Sequence, residues 1–380
     1  MSAVRQRLYY IWKKLSEKHS RKKFETDNNK EDIDRFHACK DRKPEAQVKR
    51  EMRALQKYWN CYPFQYYRFD FYRADCTLSL EEMKTYVPHF FIMSLFFPLS
   101  YKEYGVLCED KLLTYATLKA YDVSQPPFLF CFDNTNFYNN TNTLIAPAEV
   151  DAIIASSTAA KLFVKPRFGL GGRGIVVFNK DGHQYRNEEN NLLDHSFFLN
   201  ELKGEKYIVQ AGLVQHEAMN RLYPHSVNTF RIVTECIGGE ARVLYALVRM
   251  GSGGQQIDNA SSGGLYIKID PETGVLGDYA FAFNRITFRT HPDTGFVFKG
   301  AAIEKWDEAK SFALAVAGKF REIKYMGWDV AFSTDGPAII ELNNAPGIGI
   351  VQDCYGGIRD DLKLNPKDWW YKSNYTIKNL

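Results

Sequence analysis

The stretch WDVAFSTDGPAIIELNNAPG, Trp328 to Gly347, consists of two apolar runs, Trp328 to Phe332 and Ala338 to Leu342, around a Thr-Asp-Gly-Pro turn signal. That is the pattern of an antiparallel hairpin. A three-residue loop of Thr334, Asp335 and Gly336 sets Asp329 directly opposite Glu341, and the alternation of a strand puts Asn343 on the same face. A two-residue loop turns Asp329 away from Glu341. Two carboxylates and an amide oxygen on one face suit Mg²⁺, which takes few protein ligands and completes its octahedron with water and phosphate. Isolated acids ordinarily just face solvent. Here both acids lie among apolar neighbours, which weakens that alternative.

Upstream, FVKPRFGLGGRGIVVF, Phe163 to Phe178, carries Gly169, Gly171, Gly172 and Gly174 within six residues between two apolar runs. Without Cβ atoms, such a loop lets backbone N–H groups approach an anion closely. Lys165 before it supplies a point charge, and Arg173 within it can supply a bidentate contact. The residues after the glycines, Ile175 to Phe178, are β-branched and aromatic and predict a strand. A P-loop or dinucleotide fingerprint leads into a helix and is excluded. A glycine flap between antiparallel strands is another way to cover nucleotide phosphates. Taken alone, the run fits an ordinary hairpin equally well.

These two elements, about 160 residues apart, carry a resemblance to the ATP-grasp superfamily, and within it to the sugar-transfer-associated ATP-grasp family, whose members resemble α-L-glutamate ligases. It covers about Tyr86 to Gly349. The motifs that carry it are EDKLLTYATL at 109–118, FVKPRFGLGGRGI at 163–175, YIVQAGL at 207–213, SVNTFRIVT at 226–234, IDNASSGG at 257–264, HPDTGFVF at 291–298, and GWDVAF with IIELNNAPG. The resemblance implies an α+β fold in which two antiparallel-sheet lobes clasp ATP, with a helical N-terminal extension. It makes Lys111 and Lys165 the lysines near the phosphates and Gly169 to Gly174 the flap. Gln210 to Leu213, including Gly212, become the hinge whose main chain reads adenine, after a Lys206 to Val209 strand. Glu217 is the candidate for the ribose hydroxyls, although Gln-Ala-Gly replaces the usual acid-rich hinge. Arg231 would hold the transferring phosphate or acyl phosphate, and Asn259 the acceptor side. Asp329, Glu341 and Asn343 match the ligands of one or two Mg²⁺ ions, for which Mn²⁺ can substitute.

Some of these residues speak for themselves. Val227 to Cys236 alternates as a strand with Thr229, Arg231 and Val233 on one face, and Gly238-Gly239 ahead of Ala241 to Met250 predicts a hairpin. An arginine inside an apolar strand needs a partner. Phosphate is one candidate and Glu235, on the same face, is the structural alternative. Asp258, Asn259, Ser261, Ser262, Gly263 and Gly264 form a polar loop before a Leu265 to Ile269 strand, which by itself fits a solvent turn as well as a functional loop.

The net charge of +4 hides an asymmetry: residues 1–60 carry 17 Lys and Arg against 9 Asp and Glu, which is +8 and leaves −4 for the rest. Basic arms bind nucleic acid or anionic membrane; acids interleaved from Glu25 onward argue against nucleic acid. Leu8, Ile11, Trp12 and Leu15 recur at helical spacing among basic residues, so this segment either packs on the body or contacts a membrane surface or envelope-assembly complex. Charges beginning at Arg5 exclude a secretory signal. Phe90 to Phe97, bounded by Pro88 and Pro98, is far shorter than the ~20 residues of a membrane span. Seven cysteines without CxxC spacing fit the cytoplasm, including its membrane face, rather than a disulfide or zinc framework.

The expected organisation is a helical basic region 1–75, an N-terminal α/β part 76–160 with helices over Asp110 to Tyr121 and Ala148 to Ala160, nucleotide- and metal-binding lobes 161–350, and a tail 351–380 packed on the body. The Asn-rich Asn134 to Asn142 predicts a loop or interdomain crossing, and Glu304 to Lys324 a helix whose Ala309, Phe312, Ala313, Val316, Phe320 and Ile323 face the core. The activity implied by the resemblance is ATP-dependent ligation of a carboxylate to an amine through an acyl phosphate, on small or sugar-linked substrates in surface-polysaccharide synthesis. The alternatives are a phosphotransferase acting on a hydroxyl and a nucleotide-binding scaffold.

Overall fold

The computed structural model describes residues 29–89, 104–169, 172–202, 204–283, 285–344 and 346–367. Among these residues fourteen strands pair antiparallel in two seven-stranded sheets. The first sheet is built from β1 (Phe128–Asp133), β2 (Asn136–Asn139), β3 (Leu144–Ile145), β4 (Lys161–Pro166), β5 (Val176–Asp181), β6 (Gln184–Arg186) and β7 (Lys206–Ala211), in the order β3-β2-β1-β7-β4-β5-β6. The second is built from β8 (Thr229–Ile237), β9 (Glu240–Met250), β10 (Leu265–Lys268), β11 (Ala280–Ala282), β12 (Thr287–Phe288), β13 (Tyr325–Ser333) and β14 (Gly336–Asn343), in the order β12-β11-β10-β9-β8-β13-β14. The architecture is α+β.

Alternation decides which face of each sheet is apolar. Phe130, Phe132, Val164 and Val209 meet Val150 and Ile154 of the Pro147–Ser156 helix and Phe197 and Phe198 of the His195–Glu201 helix. In the second sheet Phe230, Ile232, Val248, Trp328 and Val330 pack with Ala309, Ala313 and Val316 of the Trp306–Lys319 helix. Burying each such large apolar side chain stabilises the fold by about 1.5–3 kcal/mol. The opposite faces carry the polar residues described below. There the Lys111–Ala120 helix sets Leu112 and Tyr115 on Phe128, Cys131 and Ile208. The connector after β7 joins the two sheets: His216 N donates to Phe332 O at 3.0 Å and Thr334 N to Val214 O at 2.9 Å.

The decisive hairpin corrects its own prediction. Ser333 pairs with Gly336, so the loop has two residues, Thr334 and Asp335, and not three. A regular ladder from that turn would set Asp329 against Ile340. Instead the register shifts between Asp329 and Val330, leaving Ile340 as the extra residue of a bulge, and Asp329 does pair with Glu341. The bulge also lets Ile339 and Leu342 both reach the core while Glu341 and Asn343 share the opposite face. Asn134 to Asn142 likewise is no crossing: β2 lies inside it, paired with β1, and Asn134 (φ 59°) and Asn142 (φ 59°) take the left-handed conformations of its turns.

Two compact units emerge, Ser100–Cys354 and a unit of Met1–Leu99 with Tyr355–Leu380. The latter centres on Leu55, Tyr66, Phe71, Tyr72 and Met83, the last in the Leu80–Met83 helix, so it extends beyond the expected boundary at residue 75. The tail joins this unit: Arg359 N donates to Thr85 O at 2.9 Å and Arg359 Nη1 to the Tyr58 hydroxyl at 3.0 Å. The basic segment with Leu8 to Leu15, the Phe90 to Phe97 run, Gly171 and the end of the tail lie outside the described residues. All seven cysteines are free thiols. Among the described residues no helix is long and apolar enough to cross a membrane.

Candidate functional site

Strand pairing brings Arg231 of β8 directly opposite Asp329 of β13, which is itself opposite Glu341. Arg231 Nε and Nη2 both donate to the fully buried Asp329 carboxylate, the second at 3.0 Å. The partner expected from the sequence, Glu235, instead takes Arg242 at 2.6 Å and the Tyr325 hydroxyl at 2.9 Å, because the register of β8 shifts after Val233. A second arginine, Arg249 of β9, lies 3.2 Å from Asp329 and 3.2 Å from Asp258. Burial opposes the Arg249 charge, but Asp258, Asp329 and Glu341 outweigh it and raise its pKa. Burial likewise penalises the Asp329 charge, yet the two arginines hold that carboxyl below the usual range. Glu341 goes the other way, raised by burial and by the Asp329 charge beside it.

From the first sheet, Lys165 of β4 is buried and its Nζ donates to Gln210 Oε1 at 3.0 Å. Burial pushes this ammonium down to about 8, against attraction from Glu341 and Asp258 and with repulsion from Lys111. β7 runs to Ala211, so Gln210 belongs to the strand and presents its side chain to the cleft. The hinge begins one residue beyond Gln210's neighbour, at Gly212, whose N–H donates to Lys161 O at 2.8 Å. Leu213 is half-buried in it, and Glu217 is exposed in the first turn of the Glu217–Asn220 helix.

Lys111 opens its helix behind Asp110, which caps Leu112 N at 3.0 Å and takes both Arg167 Nε and Nη2, at 2.8 and 2.7 Å. That pair fastens the helix to the end of β4, and Lys111 Nζ reaches Gly169 O at 2.9 Å. The glycine loop joins antiparallel β4 and β5, with Gly172 and Gly174 at φ 69° and 74°, where a side chain is strained. Arg173 is exposed. A Cβ at Gly172 would lie 3.5 Å from Asn259 Nδ2, so the loop of one sheet meets the 257–264 loop of the other.

Between the sheets lies a pocket with about 350 Å³ of empty volume, open solvent included, whose walls contain Lys111, Tyr115, Ile208, Gln210, Ile340 and Glu341. The residues expected to hold Mg²⁺ fit it on three grounds. Their donors are hard oxygens on one face. Asn343 lies beside Asp329 and helps to hold that carboxyl down, so its amide adjoins the two acids. Burial and then the Asp329 charge raise the Glu341 pKa, and a cation beside it would oppose both effects. Among the described residues no three His, Cys, Asp or Glu side chains are grouped so that they could hold a metal.

The sequence reading located Lys111, Lys165, Arg231, Asn259, Asp329, Glu341 and Asn343, and the structure gathers them about one cleft. It missed Arg249, although an arginine in the apolar Val243 to Met250 run carries the same signal that singled out Arg231. It also missed the Asp110–Arg167 pair, for which the N-cap position of Asp110 was the only hint.

A family model described as sugar-transfer associated ATP-grasp matches residues 97–362, more than half of the chain. Comparison with curated protein sequences gives no match. Solved structures similar in part include D-alanine–D-alanine ligase from Bacillus anthracis (11% identity, 72% of this chain and 69% of that one, TM-score 0.37). Others are D-alanyl-alanine synthetase A from Vibrio cholerae O1 biovar eltor (10%, 70% and 66%, 0.39) and L-amino acid ligase from Bacillus licheniformis (15%, 64% and 42%, 0.33). The chain thus spans well under two thirds of the last of these. At such scores these likenesses carry no argument about activity.

Proposed function

The chain belongs to the sugar-transfer associated ATP-grasp family, and from that premise we propose that it is an ATP-dependent carboxylate–amine ligase working through an acyl phosphate. The observation that supports this reading is that Lys111 and Glu341 share one pocket wall, with Lys165 attracted to Glu341 from the first sheet and Asp329, Arg231 and Arg249 acting on Glu341 from the second. The nucleotide base rests on Ile208 and Ile340 beside the Gly212 and Leu213 main chain, and the phosphates extend toward the lysines. Mg²⁺ on Asp329, Glu341 and Asn343 supplies neutralisation of phosphoryl charge.

A substrate carboxylate oxygen attacks the γ-phosphorus; the P–O bond to the leaving ADP breaks and an acyl phosphate forms. Arg231 and Arg249 offset its charge. An amine nitrogen then attacks the acyl carbon, the C–O bond to phosphate breaks, and the nitrogen loses a proton to give the amide. The glycine loop, closed toward Asn259, excludes water that would hydrolyse the intermediate. The family's description, sugar-transfer associated, supports a carboxylate or amine carried on a sugar; surface-polysaccharide synthesis on the cytoplasmic side, with the basic N-terminal region as a contact for membrane or an assembly complex, is part of the same proposal.

The test is ATP turnover with Mg²⁺ against amino acids and sugar-linked carboxylates, with hydroxylamine present. Hydroxamate that depends on one carboxylate is expected. A phosphorylated hydroxyl product without hydroxamate would establish a phosphotransferase instead, and nucleotide binding with no turnover on any substrate would favour a scaffold.

A further inference from the structure

Asp258 has no role in the reading above, yet it is one of the most constrained acids in the cleft. It is buried, takes a short hydrogen bond from the Thr229 hydroxyl, and lies 3.2 Å from Arg249 Nη2 through each carboxylate oxygen. Thr229 in turn accepts from Arg249 Nε at 3.1 Å. Arg249 is thereby gripped along one edge of its guanidinium, while its Nη1 amino group makes no hydrogen bond among the described residues. Two N–H donors of a fixed planar fork are left for an anion.

The backbone fixes where Asp258 points. Gly264 N and Ser262 N both donate to Asn259 O at 3.0 Å, and a Cβ at Gly264 would fall 2.5 Å from Asp258 O, so the loop closes on itself only with glycine there. The next residue, Asn259, faces Gly172 of the glycine loop. Asp258 therefore stands between Arg249, which is shared with Asp329, and the 257–264 loop, whose Asn259 lies beside Gly172.

We infer that Asp258 is a positioning residue, which holds Arg249 for the transferring anion and couples occupancy of the Asp329 side to the 257–264 loop. The inference rests on the ligase reading and deepens it. When Asp329 turns to a cation, Arg249 loses one carboxylate and keeps the other, so its place in the cleft survives metal binding. With Asp329 turned to a cation, an uncharged residue at 258 would leave Arg249 with neither of these two carboxylates as counter-ion.

The experiment compares wild type with Asp258→Asn, which keeps an acceptor for Thr229 but loses the charge. ADP with Mg²⁺ is expected to bind both within roughly 3-fold, while kcat of the variant falls roughly 30-fold, the scale of one charge-assisted hydrogen bond lost in the transition state. Thr229→Ser, which retains the bridging hydroxyl, should stay within about 3-fold of wild type in kcat. Hydrogen exchange on the wild-type chain gives a readout independent of any variant's folding. ADP with Mg²⁺ should slow exchange in residues 257–264 as well as in 165–174, and in Asp258→Asn only the second effect should remain. Wild-type kcat in Asp258→Asn, or no protection of 257–264 in a wild-type chain that binds nucleotide, overturns this inference alone. A wild-type chain that binds no nucleotide overturns the ligase reading together with it.

Discussion

Asp329 and Glu341 are neighbours in the same ladder with the same expected ligand role, yet the structure gives their removal opposite effects on stability. Asp329 is fully buried and is the counter-ion of Arg231, through two hydrogen bonds, and of Arg249 at 3.2 Å. Replacing it by alanine strands Arg231 in a water-poor cleft and leaves Arg249 with Asp258 alone, and breaking a buried pair this way costs about 3–5 kcal/mol. For a unit of this size each kcal/mol shifts the melting temperature by about 2–4 °C, so Asp329→Ala should melt roughly 6–20 °C below wild type. Asp329→Ala is thus expected to be both inactive and destabilised. Glu341, by contrast, is disfavoured as an anion by burial and by Asp329, so Glu341→Gln removes a repulsion. It should melt at or above the wild-type temperature while losing turnover equally. Calorimetric melting of the two variants without nucleotide, beside ADP release under saturating ATP, measures both effects. Equal melting of Asp329→Ala and wild type, or a Glu341→Gln protein as unstable as Asp329→Ala, would refute the assignment of Asp329 as the shared counter-ion.

Further expectations follow from other parts of the cleft. Lys165 is lowered to about 8 in the folded chain from 10.5, so the unfolded chain binds more protons between those values and stability from this group rises with pH across that window. ATP affinity should do the reverse, falling as the ammonium is lost above about pH 8, and titration calorimetry should find that decline flattened in Lys165→Arg, whose charge does not titrate. Ile340, the bulge residue lining the pocket, should act on binding: Ile340→Ala is expected to raise the KM for ATP about 10-fold with kcat nearly unchanged, as a lost apolar contact of about 1.4 kcal/mol would. Unchanged KM would remove the base from that wall. Gly264→Ala must displace Asp258 O, and chemical denaturation should show a loss of about 1–3 kcal/mol with reduced kcat.

What the sequence determined alone is local and periodic. Alternation within Val227 to Cys236 placed Thr229, Arg231 and Val233 on one face, the Gly238-Gly239 pair marked the hairpin into Ala241 to Met250, and the spacing of Ala309, Ala313, Val316, Phe320 and Ile323 identified core residues. The glycines between apolar runs showed a loop joining antiparallel strands, and the acids of Trp328 to Gly347 showed one polar face. Each follows from side-chain direction, which a strand or helix sets within a few residues.

Tertiary structure decided register and pairing, which depend on residues remote in the chain. Whether Asp329 meets Glu341 turned on a bulge at Ile340 that no local pattern marks, because a bulge forms where core packing on one strand outweighs one ladder hydrogen bond. Arg231 chose Asp329 over Glu235 because β13, almost a hundred residues downstream, lies beside β8, while Glu235 found Arg242 and Tyr325. Arg249 and Asp258 became functional candidates only when that same strand arrangement put them about one buried carboxylate. Periodicity tells a side chain which way to face; only the folded neighbours determine which charge it finds there, and desolvation makes that choice energetically decisive.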